Sequence, residues 1–227
     1  MTDDQDRRRL LRFLRKLPHD FANAILPFQI AGDLLRRADG DAAILDQVRR
    51  ILDDQSVQAQ RLVDDLERTV HVLRGELEAK RRPCDLEAAV TRGVAAARGH
   101  APPSIEIQVE SPPAPIELEA DPKLLAAAVE ELVANAARFA GTKPIRVELE
   151  RTAEAALVRV LDGGPGIAGD RLGTIFDPFV AADTVESGWG IGLSFVRLVA
   201  STHGGSIAAS PGAEGGLVMT LRVPLAT

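Results

Sequence analysis

Apolar side chains in the first third of the chain recur in alternating steps of four and three residues, which is the spacing of one face of a helix. The face of the first helix consists of Leu10, Leu14, Leu17, Phe21, Ala24, Phe28, Ala31 and Leu35, and that of the second consists of Ile44, Val48, Ile51, Gln55, Ala59, Leu62, Leu66 and Leu73. Residues 38–41, Ala-Asp-Gly-Asp, are a turn signal between them. The pattern predicts a helical hairpin.

Two details of the second helix follow from the same pattern. The apolar repeat weakens at residues 55–59, which predicts an interruption of the helix there. The sequence Arg81-Arg82-Pro83 predicts its end, because proline cannot continue a helix and disfavours helix just before itself.

A hairpin of two such helices cannot cover its own apolar stripe. Two copies that pack as a four-helix bundle bury the stripe of each. We therefore expect residues 1–80 to form a dimerisation hairpin and the protein to be a homodimer.

Beyond Cys84 the pattern changes to alternating strands and shorter helices. Asp85 and Asp121 precede helical segments as capping residues, the second followed by a proline suited to a first turn. Further segments read as a helix at 193–201 and as strands at 105–109, 116–118, 145–150, 156–161, 206–209 and 217–223. Residues 84–227 are therefore predicted to form an α+β sandwich, with one layer of helices on a mixed sheet.

Composition limits the classes of function. The 227 residues carry a formal net charge of −6 and one cysteine, which argues against nucleic-acid binding and excludes an internal disulfide. No run approaches the roughly 18 apolar residues of a membrane span, and the N-terminus is charged. We expect a cytoplasmic protein without a membrane segment, so that any input comes from a separate sensor protein or there is none.

Two glycine-rich turns point to a nucleotide. Residues 162–167, Asp-Gly-Gly-Pro-Gly-Ile, follow a predicted strand, and residues 188–193, Gly-Trp-Gly-Ile-Gly-Leu, precede a predicted helix. Glycine lets the backbone approach phosphates and bases without interference from a Cβ atom. Asp162 is placed to accept a hydrogen bond from an exocyclic amine, although an Asp-Gly turn alone is also an ordinary loop.

A third candidate lies on the helix after Asp121. Glu131, Asn135 and Arg138 share one face at helical spacing. An amide in an apolar helix either has partners in the core or offers its carbonyl oxygen to a cation such as Mg²⁺. Arg138 either meets phosphate oxygens or is solvated. Together with the glycine turns, these residues predict a nucleoside triphosphate site with magnesium.

His19 points away from the apolar face of its helix, so it is predicted to be exposed. Asp20 and Asn23 lie on the same outward side, where Asp20 can hydrogen-bond the ring and Asn23 can orient a water. An exposed histidine with this company suggests a nucleophile with its base.

These residues resemble the transmitter core of two-component sensor histidine kinases, with the motifs in the order of that family. Residues 19–27 resemble its phosphoacceptor box, 131–139 its N box, 162–167 its first glycine box, 175–179 its F box and 188–193 its second glycine box. Residues 61–66 are similar to the segment of the second helix that follows the histidine box, and His203-Gly204-Gly205 to a turn before a strand.

The resemblance implies a Bergerat-type ATP fold of the histidine kinase, gyrase and chaperone type, fused to a phosphotransfer hairpin. His19, Asp20 and Asn23 would be catalytic, Asp162 would bind adenine, Asn135 would hold Mg²⁺ and Arg138 would reach phosphates. The remaining cofactor-binding positions carried over are Glu131, Gly164, Gly166, Ile167, Phe176, Gly188, Gly190, Gly192 and Leu193. The segment between Phe179 and Gly188 would be a lid, and the phosphoryl group would pass to the receiver domain of a response regulator.

Three further functions fit part of the sequence. Asp20 and Asn23 also resemble a motif for dephosphorylating the regulator. A histidine phosphotransferase without ATP binding would explain the short chain but not the glycine turns. An ATPase or serine kinase would use Glu131, placed where the gyrase and chaperone relatives keep the glutamate that activates water, but would leave His19 without a role.

Overall fold

The computed structural model describes residues 2–99, 101–102, 104–141, 143–169, 171–180, 189–213 and 215–225, with side chains from residue 7. The chain divides into two compact units, Met1–Val70 and His71–Thr227. Within the described residues, no helix is long and apolar enough to cross a membrane.

The first unit is helical, as predicted. Helix α1 spans Thr2–Arg37 and continues through two prolines, and α2 spans Ala42–Arg74. The connecting turn places Asp39 at φ 39° and Gly40 at φ 82°. Asp41 Oδ1 then accepts a hydrogen bond from the Ala43 amide at 2.8 Å, which satisfies a donor in the first turn of α2.

Helix α2 is not interrupted at residues 55–59, so that expectation was wrong. Glutamine and alanine are good helix formers, and a weaker apolar repeat alone does not break the backbone. The helix also ends earlier than predicted, at Arg74. Gly75 takes φ 65°, and the amides of Gly75 and Glu76 bond to the carbonyls of Val72 and His71 at 3.2 and 3.3 Å. This is a Schellman motif, which terminates the helix before Pro83 can.

Part of the predicted apolar face of α1 is buried within one chain. Ala24 and Ala31 are 6% and 1% exposed. Phe13, on the same side of the helix, is 7% exposed. Leu14 and Leu35 belong to the predicted face but remain 48% and 53% exposed. One chain therefore leaves part of the stripe uncovered.

The described residues of the second unit form five strands in one mixed sheet and two in a small sheet. The helices are α3 at Leu86–Arg98, α4 at Pro122–Phe139 and α5 at Gly192–Thr202. The strands are β1 at Arg82–Asp85, β2 at Ile107–Glu110, β3 at Glu117–Ala120, β4 at Ile145–Arg151, β5 at Ala155–Leu161, β6 at Ser206–Pro211 and β7 at Leu217–Pro224. The large sheet has the order β2-β4-β5-β7-β6, in which β2 and β4 are parallel and the other pairs antiparallel. Strands β1 and β3 pair separately.

The helices cover one face of the large sheet and confirm the predicted sandwich. Side chains alternate between buried and partly exposed along β4 and β7, which is the pattern of a sheet with one covered face. Asp85 caps α3 and Asp121 caps α4, both as predicted. A side chain at Gly93 would overlap the Ala126 carbonyl oxygen, so this glycine lets α3 and α4 pack closely.

Candidate functional site

Asp162 follows directly after β5, a central strand of the large sheet. Its Oδ1 accepts hydrogen bonds from the amides of Gly164 at 2.8 Å and Leu217 at 3.3 Å. Among the described residues no donor contacts Oδ2. The two bonds to Oδ1 therefore fix the carboxylate and leave Oδ2 as an acceptor for a ligand amine.

The turn that begins at Asp162 is packed tightly from two sides. A Cβ atom at Gly164 would lie 2.6 Å from the carbonyl oxygen of Phe139 at the end of α4. A Cβ atom at Gly216, which precedes β7, would overlap the carbonyl oxygen of Asp162. Glycine is required at both positions because backbone occupies the space of a side chain.

The face of α4 that carries the three predicted residues runs towards this turn. Glu131 and Asn135 are half-buried and Arg138 is exposed in the last turn. Within the described part of the chain, the side-chain amide of Asn135 makes no hydrogen bond. No cluster of three His, Cys, Asp or Glu residues suited to a metal occurs among those residues either. A cation here would therefore depend on the Asn135 carbonyl oxygen together with ligand phosphates, as Mg²⁺ often does.

Glu131 belongs to α4, and its carboxylate lies against the start of α5. A Cβ atom at Gly192 would overlap Oε2 of Glu131, so this glycine makes room for the carboxylate. Helix α5 has Ile191 at its N-cap position, and the apolar side chain of this residue does not cap the first amides. Donors of this kind can bind an anion.

The second glycine turn meets the end of the predicted F box. The Phe179 amide donates to the Gly190 carbonyl oxygen at 2.9 Å, and a Cβ atom at Gly190 would lie 2.8 Å from the carbonyl oxygen of Val180. Gly190 has φ 71° and Phe179 has φ 61°, a conformation that non-glycine residues rarely adopt. Gly188 and residues 181–187 of the predicted lid lie outside the described residues.

Four of the predicted cofactor-binding residues support the two glycine turns and do not project from them. Gly166 has φ 71° within the first turn, and Phe176 is 8% exposed. Ile167 and Leu193 are half-buried. The structure thus gathers the α4 face, the Asp162 turn and the beginning of α5 at one edge of the second unit.

His19 lies on α1 in the first unit and its side chain is 72% exposed, as its helix face predicted. Its Nδ1 is 3.4 Å from Asp20 Oδ1, and Asn23 Nδ2 is 3.2 Å from the same ring nitrogen. Nδ1 cannot both donate to Asp20 and accept from Asn23, so the two contacts select different tautomers. When Asp20 accepts the Nδ1 proton, Nε2 carries the free electron pair of a nucleophile.

Comparison with known proteins adds to this geometry. Residues 120–227 match the family described as histidine kinase-, DNA gyrase B- and HSP90-like ATPases, which are ATP-binding domains. The NMR structure of the histidine kinase domain of the Escherichia coli osmosensor EnvZ is 30% identical, with a TM-score of 0.52. That match covers 67% of this chain and 93% of the EnvZ domain.

The chain belongs to the histidine kinase family.

Two further proteins show how much of the chain is shared. The signal transduction histidine-protein kinase AfsQ2 of Streptomyces coelicolor is 40% identical over 107 residues, which are 46% of this chain and 20% of that protein. The full-length ShkA structure, a complex with AMPPNP, shares the fold with a TM-score of 0.69 and 24% identity, over 94% of this chain and 46% of that chain. The chain spans between 20% and 47% of the length of the first curated relatives that it matches.

Some contacts of this member of the histidine kinase family could not be found from the sequence pattern. Gly216 belongs to a Gly-Gly pair before β7, a signal of close approach, but only the fold shows that Asp162 is its neighbour. Lys143 lies with its hydrocarbon stem against Gly163, where a Cβ atom on the glycine would be 2.8 Å from the Cβ of Lys143. Phe179 carries no sequence signal for its positive φ.

His203 is buried and has a structural position. His203 is 4% exposed at the end of α5, where its Nδ1–H donates to the Val199 carbonyl oxygen at 2.8 Å. Its Nε2 accepts from the Asp121 amide at 3.0 Å. The ring therefore joins the end of α5 to the beginning of α4.

Proposed function

We propose that this protein is an ATP-dependent protein histidine kinase that phosphorylates itself on His19 and passes the phosphoryl group to an aspartate of a response regulator. The observation that supports this most is the exposed His19 imidazole between Asp20 and Asn23, in the same chain as an ATP-binding domain. An ATPase of this fold needs no such histidine. A phosphotransferase without ATP binding needs no close-packed glycine turns.

Asp162 is the proposed adenine contact. Its Oδ2 would accept the exocyclic amine of adenine, because Oδ1 is already held by two backbone amides. Gly164, Gly166 and Ile167 would shape the turn beside the base. Phe176, Gly188, Gly190 and Leu193 would shape the second turn, and the segment at 181–187 would close over the nucleotide.

The polyphosphate would lie between α4 and the start of α5. Arg138 and the first amides of α5 at Gly192 would bind phosphate oxygens. Mg²⁺ held by the Asn135 carbonyl oxygen would offset charge on the phosphates. Glu131, close to Gly192, would orient groups at the metal or the γ-phosphate.

His19 would act through Nε2. This nitrogen attacks the γ-phosphorus, a nitrogen–phosphorus bond forms, the bond to the bridging oxygen breaks and ADP leaves with the electron pair. Asp20, 3.4 Å from Nδ1, stabilises the positive charge that develops on the ring. An aspartate of the regulator then takes the phosphoryl group and frees the ring. Asn23, one helical turn along, would orient a water molecule that dephosphorylates the regulator.

The proposed partners are a second copy of the chain, a response regulator in the cytoplasm and a separate sensor protein. The second copy would cover the part of the α1 stripe that one chain leaves exposed. The regulator must reach His19, which is accessible on the outer side of α1.

The test is incubation of purified protein with γ-labelled ATP and Mg²⁺, followed by measurement of acid-labile, base-stable label. We expect the wild type to take the label and His19→Gln to take none, because glutamine has no nucleophilic ring nitrogen. His100→Gln, which changes another histidine in the same way, should keep the label.

Three results would overturn the proposal in distinguishable ways. Label that persists in His19→Gln would place the phosphoacceptor elsewhere. Release of phosphate without labelled protein would indicate an ATPase. No label together with no ATP binding in a titration would indicate a phosphotransferase.

A further inference from the structure

The segment that leaves α2, residues 75–81 and here named the connector, is held at its beginning by the end of that helix. The Glu76 amide bonds to the His71 carbonyl oxygen, as the Schellman motif requires. The His71 ring adds a second bond, in which Nδ1–H donates to the Glu76 carbonyl oxygen at 3.0 Å. His71 thereby has a structural task that its sequence context did not indicate.

The other end of the connector is held by the ATP-binding unit. The Lys80 amide donates to Asp121 Oδ2 at 2.9 Å. Arg81 Nη2 donates to the Thr202 carbonyl oxygen at 2.6 Å. Between these anchors the connector borders a shallow groove whose opposite wall is formed by Leu198, Ser201 and Thr202 of α5.

Asp121 joins three elements at this point. It is 8% exposed, and its Oδ1 caps α4 through the amides of Lys123 and Leu124 at 2.9 and 3.2 Å. Its Oδ2 holds the connector through Lys80, and its own amide donates to His203 at the end of α5. A helix cap alone needs one carboxylate oxygen, so the second oxygen and the burial require another explanation.

We propose that Asp121 is a positioning residue that anchors the connector and so limits the free chain between the helical hairpin and the ATP-binding unit during transfer to His19. The proposal rests on the proposed function. With Lys80 and Arg81 held, only residues 77–79 lie between the two anchors. Release at Asp121 lengthens the tether, and a longer flexible tether lowers the effective concentration of one tethered group at another. Phosphorylation at saturating ATP should then slow, while the affinity for ATP stays the same.

The variant Asp121→Asn separates the two tasks of this carboxylate. Asparagine caps a helix as well as aspartate does, so the bonds to α4 can remain. When the side-chain oxygen of this asparagine caps α4, its NH₂ group faces the Lys80 N–H. Both groups are donors, so no hydrogen bond forms between them. Asp85→Asn is the matched control, because Asp85 caps α3 through the Glu87 amide at 3.0 Å and makes no bond to the connector within the described residues. Arg81→Ala removes the other anchor through an exposed side chain, so its loss leaves the core intact.

Three measurements are made on the intact protein: the rate of His19 labelling at saturating ATP, the ATP dissociation constant and hydrogen exchange at the Lys80 amide. For Asp121→Asn we expect labelling roughly twofold slower, an unchanged dissociation constant and faster exchange at Lys80. Arg81→Ala should slow labelling in the same direction, and Asp85→Asn should match the wild type.

An unchanged or faster labelling rate in both connector variants would overturn the proposal. Weaker ATP binding in Asp121→Asn would instead show that Asp121 supports the nucleotide site, and would also overturn it. Unchanged Lys80 exchange in this variant would show that no anchor had been released. If the wild type takes no label, the proposed function fails, and Lys80 exchange still decides whether Asp121 anchors the connector.

Discussion

Lys143 illustrates how a single residue outside the recognised motifs shapes the site. Its hydrocarbon stem lies against Gly163, next to Asp162, and any side chain at Gly163 would overlap it. Lysine often covers apolar surface with its stem while its charge remains in water. The stem is therefore placed to hold the turn that carries the proposed adenine contact.

We expect Lys143→Ala to weaken ATP binding by roughly fivefold, since removal of partly buried methylene groups costs about 1 kcal/mol. Isothermal titration with ATP measures the change. Lys143→Met keeps the stem and removes the charge, so its affinity should stay close to that of the wild type. Equal weakening in both variants would instead attribute the effect to attraction between the ammonium group and phosphate.

At the scale of single residues, the sequence predicted which side chains are exposed better than which residues contact each other. The exposure of His19 follows from its angle to the apolar face of α1, because a helix fixes that angle. The contacts of Gly163 and Gly216 depend on elements that lie far apart in the sequence, and local pattern holds no information on them.

Asp121 makes the stability of α4 depend on pH. Burial alone would raise the pKa of this carboxyl group, but hydrogen bonds from the amides of Lys80, Leu124 and Lys123, together with nearby His203, outweigh burial and lower the pKa. The folded-state pKa thus lies below the unfolded value of about 3.9. The ionised carboxylate consequently stabilises the fold above the unfolded value, and this stabilisation disappears as the pH falls through the folded value.

Thermal unfolding of the wild type and of Asp121→Asn should therefore converge in acid. Near neutral pH we expect the wild type to be more stable by about 1–2 kcal/mol, because a bond to a charged acceptor is lost in the variant. Below about pH 4 the difference should shrink. A difference that stays constant down to pH 3 would contradict the assignment to this carboxylate.

The elements themselves were predictable where the signal was local. The aspartate caps of α3 and α4 and the strand that leads into the Asp162 turn have clear local patterns. The end of α2 was misplaced because Pro83 is the stronger signal in the sequence, whereas Gly75 stops the helix first. Strand β1 was not predicted, since four residues around Cys84 show no alternation and are paired by β3, more than 30 residues later.

For the whole molecule, the uncovered stripe on α1 predicts the surface of a homodimer. Leu14 and Ile25 lie on one side of α1 and are 48% and 52% exposed. Leu26 is 54% exposed but is rotated by about 100° from Ile25, towards the side that carries His19. Two neighbouring residues with the same exposure thus lie on different surfaces.

Ile25→Glu should weaken the dimer at least a hundredfold, because each of two symmetry-related sites loses about 2 kcal/mol of apolar burial. Leu26→Glu should leave the dimer intact. Light scattering over a range of protein concentrations measures both. A dimer that survives Ile25→Glu, or one that Leu26→Glu dissociates, would place the interface on another face.

The sheet order has a consequence for the time course of synthesis. Strand β5 pairs with β4, which precedes it directly, and with β7, which begins more than 50 residues after β5 ends. Asp162 takes one of its two bonds from Leu217, the first residue of β7. A nascent chain therefore presents the proposed phosphoacceptor His19 on a finished helix well before the proposed adenine contact exists. Until β7 joins the sheet, a chain that acts as proposed would accept a phosphoryl group only from another molecule.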